Sequence, residues 1–139
     1  MPVELIPLCT LEVTLADPMI VGDGPAGLRV IFEVEEATVE GERIKGKMKG
    51  HATADWLLVH GTVGTLDVRA TFETHDGALV FAQYNGRTDT SAGPGGAPIY
   101  VTPRFETGDE RYSWLNAIQA VGKGTLDGNR LSYEWYELR

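Results

Sequence analysis

The chain has 139 residues and a mass of 15.1 kDa, the size of one domain and too small for two ordinary ones. It is 42% hydrophobic and 23% charged, as globular proteins are, with 12 Lys+Arg against 20 Asp+Glu, a formal charge of -8 and a pI near 4.8. That acidic balance argues against nonspecific nucleic-acid binding and against an anionic membrane surface, both of which need basic patches.

No apolar run approaches the roughly 20 residues of a membrane span, and the N-terminus lacks a signal-peptide layout. The expectation is one soluble, cytoplasmic domain over residues 1–139. The only cysteine, Cys9, leaves no intrachain disulfide and makes a Cys-based zinc site improbable. Set in an apolar strand, it reads as a small buried hydrophobe.

In chain order, segments rich in Val, Leu, Ile, Thr, Phe and Tyr predict strands at Leu5–Leu15, Leu28–Glu40, Arg43–Ala52, Ala54–Val59, Thr65–Thr74, Ala78–Asn85, Ile99–Thr107, Ala120–Asp127 and Arg130–Leu138. Asp76-Gly77 and Asp127-Gly128 read as tight hairpin turns, and Glu40-Gly41-Glu42 as a weaker one. Leu28, Val30, Phe32 and Val34 share one face of their strand, as do Leu66, Val68, Ala70 and Phe72 of theirs. Side chains alternate across a strand, so each has one buried and one wet face. About eight to ten such strands favour an all-β, closed or nearly closed antiparallel barrel, which also removes exposed edges. Arg87–Pro98 is small and rich in Gly and Pro, and is expected to be a flexible loop. Thr107 and Glu110 have the spacing of a capping box and predict one short helix within Thr107–Gln119.

Phosphate loops, dinucleotide fingerprints and nucleophile elbows are absent. His51, His60 and His75 are too scattered for a helical metal motif, so neither metal nor cofactor is expected. Asp55 is more informative, because it interrupts the apolar strand Ala54–Val59 on the face of Leu57 and Val59, with Trp56 opposite. A carboxyl there must be paired, or its pKa rises into the range of a working acid or base. A second candidate group gathers at the predicted strand-to-helix junction: Arg104 and Glu106 on one face, then Tyr112, Trp114 and Asn116. Aromatic walls with a few polar groups are what small-molecule pockets contain. An ion pair with aromatic packing is the structural alternative.

Several of these residues resemble the domain-of-unknown-function 3237 family. They are Gly22 through Gly27, Ala54-Asp55-Trp56, Thr74-His75-Asp76-Gly77-Ala78, Phe105-Glu106-Thr107, Tyr112 through Asn116, Val121-Gly122-Lys123-Gly124 and Tyr133–Leu138, in order along nearly the whole chain. The resemblance implies a lipocalin-like (calycin-like) antiparallel barrel and supplies no general activity or cofactor. Two departures from the family pattern are His51, where a small residue is usual, and a trimmed loop before Ile99.

The functional expectation is a cofactor-independent enzyme moving protons on a small aromatic or polyketide-like molecule, of isomerase, cyclase or lyase type. Asp55 or Glu106 would be the acid/base, Arg104 would hold an oxyanion, and Trp56, Tyr112, Trp114 and Asn116 would line the site. A non-catalytic small-molecule-binding barrel is the alternative. An interaction module forming a homodimer or other homo-oligomer through its aromatic positions is a third reading.

Overall fold

The computed structural model describes residues 1–139 and contains eleven strands and one short helix. The strands are β1 (Leu5–Leu15), β2 (Met19–Gly24), β3 (Gly27–Glu40), β4 (Gly46–Met48), β5 (Ala54–His60), β6 (Val63–Thr74), β7 (Leu79–Asp89), β8 (Ile99–Val101), β9 (Arg104–Glu106), β10 (Ala120–Asp127) and β11 (Arg130–Leu138). Every pairing is antiparallel. Eight strands close the ring β6-β5-β3-β1-β11-β10-β8-β7, with β7 returning to β6, while β2, β4 and β9 are additions.

The expected barrel is therefore present, and its local differences have local causes. Arg43–Ala52 yields only the short β4, because the chain first crosses one end of the barrel, burying Ile44 (2% exposed), and Gly50 turns it at φ 74°. Ile99–Thr107 is two strands, β8 and β9, parted at Pro103, which has no amide proton for a ladder. Arg87–Pro98 begins as strand, since β7 continues to Asp89. β2 carries no strand signal in the sequence: Met19, Ile20 and Val21 are all exposed and show no alternation, and a bulge between Ile20 and Gly22 (φ 104°) interrupts the pairing to β3.

The helix is a 3₁₀ helix over Glu110–Ala117, capped by Asp109, whose side chain accepts the Arg111 amide. The Thr107–Glu110 capping box does not form. Instead the Thr107 hydroxyl donates to the Leu79 carbonyl at 2.8 Å and accepts the Asp109 amide at 3.2 Å, tying the helix entry to β7. Asp76, in the β6–β7 turn, completes the anchor. Its Oδ1 accepts from Thr74 Oγ1 at 2.6 Å and from the Tyr112 hydroxyl at 2.7 Å, and Arg111 lies 3.3 Å from Oδ2. These donors, led by Thr74 and then Tyr112, hold the Asp76 carboxyl down at about 2. A depressed acid contributes stability above its unfolded pKa, near 3.9, and that contribution is lost as pH falls through about 2. Asp76→Asn should accordingly lower the melting temperature at neutral pH, with the gap to wild type closing in melts taken toward pH 2. A gap that stays constant with pH would deny the carboxylate this role.

The half of the barrel nearest the helix is solid. Phe72, Val80, Phe105, Leu115 and Trp135 fill it, each no more than 5% exposed. Glycines on β10 permit this packing: a Cβ on Gly124 would stand 2.6 Å from the Tyr133 ring, and one on Gly122 would collide with Trp135.

Candidate functional site

The other half of the barrel is hollow. A cavity of about 390 Å³ opens there, within the size range of small-molecule sites. Its wall is the alternation read from the sequence: Val30 and Phe32 from β3, Leu57 and Val59 from β5, Leu66 and Val68 from β6. Pro18, Ile20 and the loop through Gly93, Pro94 and Gly95 border it as well. Register sets the depth of each group. Asp55 pairs across to Phe32 and Val68, and Val68 pairs to Tyr84, so Asp55 and Tyr84 sit at one level of the wall.

Asp55 faces this cavity with Leu57 and Val59, as the period of its strand requires. Its one protein hydrogen bond is the Asp67 backbone amide donating to Oδ1 at 3.0 Å; Oδ2 has none. Burial against apolar side chains pushes the carboxyl up to about 7, against the opposing pull of the Asp67 amide. The Asp67 charge adds to the rise, and Arg29 reduces it.

Two phenols line the same cavity, Tyr84 from β7 and Tyr133 from β11. Their rings meet edge to face, with centroids 6.1 Å apart. Burial raises both hydroxyl pKa values, and the nearby Asp55 carboxylate raises them further. The Tyr133 hydroxyl is fully covered and meets no partner in full hydrogen-bond geometry, although the Tyr84 hydroxyl is close enough to perturb it. Neither tyrosine is a candidate site residue in the sequence, where Tyr133 enters only through the family resemblance. The available signal was alternation, since Ala82, Tyr84 and Gly86 share one face of β7, and Leu131, Tyr133 and Trp135 share one face of β11.

The remaining candidates lie elsewhere. Trp56 is on the outer face, half-buried, its carbonyl accepting from Arg29 Nη1 at 2.9 Å. Arg104 and Glu106 are exposed on the outside of β9, with Phe105 pointing inward between them. They pair with Gln83 and Phe81, toward the helix end of β7, whereas Thr88 at the other end of β7 borders the cavity. Tyr112 is occupied by Asp76. Trp114 lies under the Arg43 guanidinium, 5.0 Å from its ring centroid. Asn116 spans the backbone of Thr107, accepting its amide at 2.8 Å and donating to its carbonyl at 2.9 Å. Arg104, Glu106, Tyr112, Trp114 and Asn116 thus belong to the helix end and do not meet Asp55. Cys9 is buried, which pushes its thiol up to about 12. His51, His60 and His75 are exposed, and no three His, Cys, Asp or Glu side chains converge on a metal-sized site.

Residues 3–138 match the family described as "Protein of unknown function (DUF3237)". The chain belongs to this family. A UPF0311 protein of Rhodopseudomonas palustris (strain TIE-1) is 23% identical to this DUF3237 chain, over 93% of this chain and 92% of that protein. A beta-barrel like protein from Acinetobacter baumannii AYE is similar in structure at a TM-score of 0.89, with 30% identity over 100% of this chain and 98% of that one. A structure described as an enzyme from Penicillium herquei has a TM-score of 0.74 and 21% identity, over 99% of this chain and 96% of that one. At that identity the likeness establishes the shared fold.

Proposed function

We propose that this barrel is a cofactor-independent enzyme, of isomerase, cyclase or lyase type, in which Asp55 moves protons on a small, largely apolar molecule held in the cavity. The observation that carries this reading is a carboxyl oxygen with no partner on the wall of an apolar cavity. A structural acid is expected to have its lone pairs satisfied. A group titrating near 7 is half protonated at working pH, able both to take a proton and to return it. The Penicillium herquei likeness is consistent with a barrel of this shape hosting catalysis.

The test needs no knowledge of the natural substrate. 5-Nitrobenzisoxazole loses its ring C–H proton to a base while its N–O bond breaks, releasing a coloured cyanonitrophenolate. Wild type should accelerate this elimination, with a rate that rises through about pH 7 and then levels, and Asp55→Asn should lose the acceleration. If a neutral apolar dye, N-phenyl-1-naphthylamine, binds in the cavity and no Asp55-dependent elimination is seen, the barrel is a binding protein without acid/base chemistry.

A further inference from the structure

The cavity holds more polar chemistry than a base requires. Tyr133 is 2% exposed, lines the cavity, and has a hydroxyl that meets no partner in full hydrogen-bond geometry, with the Tyr84 hydroxyl its near neighbour. Leaving a donor unsatisfied costs about 1–3 kcal/mol. A phenylalanine would avoid that cost, so a hydroxyl kept at this place points to a partner that arrives with the ligand. Tyr84 stands beside it on the neighbouring wall. Both rings are fixed: Gly124 lets Tyr133 lie against β10, and Trp135 packs on Tyr84 with centroids 5.2 Å apart. Fixed donors that need not reorient are what stabilises a developing oxyanion.

Resting on the proposed role of Asp55, we infer that Tyr84 and Tyr133 form an oxyanion-binding pair for a carbonyl oxygen of the ligand, which makes the substrate class a neutral carbonyl compound with a removable proton on the carbon beside the carbonyl. The Asp55 carboxylate takes that proton. The C–H electron pair becomes a C=C bond, the carbonyl π pair moves to oxygen, and the phenols hydrogen-bond the resulting enolate. Protonated Asp55 then returns the proton to the same carbon or to a conjugated one, so isomerisation needs no other reactant. The surrounding leucines, valines and Phe32 accept the apolar remainder of the molecule and hold no cation that would suit a carboxylate substrate.

A phenolate copies the enolate oxygen, and 4-nitrophenolate reports its own ionisation by its visible band. The measurement is its dissociation constant in Asp55→Asn, where the neutral amide stands for protonated Asp55, and in the same variant carrying Tyr133→Phe or Tyr84→Phe. Each loss of a hydroxyl should weaken binding by at least about tenfold. Affinity for neutral N-phenyl-1-naphthylamine should stay unchanged, showing that the cavity is intact. Failure of Asp55→Asn to bind 4-nitrophenolate, or equal binding with and without the hydroxyls, overturns the oxyanion pair. Either result leaves the Asp55 elimination test to stand or fall by itself.

Discussion

Asp55→Asn is expected to raise the stability of the fold at pH 8 while removing its capacity for proton transfer. The folded state holds the Asp55 proton up to about 7, against an ordinary value of 3.8. Between those pH values the folded protein binds the proton more tightly than the unfolded chain, so raising the pH across that window destabilises the fold. The gap corresponds to at most on the order of 4 kcal/mol, all of it absent below the lower value and fully incurred above the higher one. Asparagine cannot ionise, and its side-chain oxygen can still accept the Asp67 amide. Wild type and variant should therefore melt together near pH 4 and diverge by pH 8, with the variant higher. A structural carboxylate predicts the reverse, because its removal leaves partners unsatisfied. A variant that melts lower at pH 8 and keeps elimination activity would remove Asp55 from the site. Stability given up at the residue that would do the chemistry is the usual sign of a functional position.

The barrel was legible because its interior is written in period 2. Leu28 through Val34 and Leu66 through Phe72 face inward as their alternation requires, and Asp55 falls on that inner face by the same count. The second candidate group stands apart from the cavity for a reason that alternation also explains. Arg104 and Glu106 do share a face, as read, but Phe105 takes the inner one, so the pair is turned outward. Nearness in sequence to Tyr112, Trp114 and Asn116 suggested one site, whereas the helix joins the barrel at its solid end and spends those side chains on Asp76, Arg43 and Thr107. Sequence distance concealed the converse. Asp55, Tyr84 and Tyr133 lie on β5, β7 and β11, and only closure of the ring brings three distant strands to one cavity. Which half would be hollow was equally hidden, since it depends on how bulky inner residues distribute between layers.

That division into halves sets up the largest stability effect. Trp135→Ala should cost about 3–5 kcal/mol, the range for deleting a large aromatic from a packed core. Trp135 is 2% exposed, and three rings enclose it: Tyr84 at 5.2 Å, Phe105 at 5.8 Å and Tyr133 at 6.1 Å between centroids. β10 beneath it is hydrogen-bonded on both edges, to β11 and to β8, so the wall cannot collapse into the space left behind. The indole N–H has no partner, so its removal relieves an unsatisfied buried donor and places the cost toward the lower end of that range. Leu57→Ala is the control within the same barrel. Leu57 already borders the cavity, so truncation enlarges a space that exists and removes few packed contacts. Its cost should fall below the usual 2–5 kcal/mol for a buried leucine. In urea melts at pH 7 the midpoint should drop far more for Trp135→Ala than for Leu57→Ala, while the latter changes the affinity for N-phenyl-1-naphthylamine. Equal losses would mean that the cavity half is packed as tightly in solution as the helix half, and that no ligand-sized space exists for Asp55 to serve.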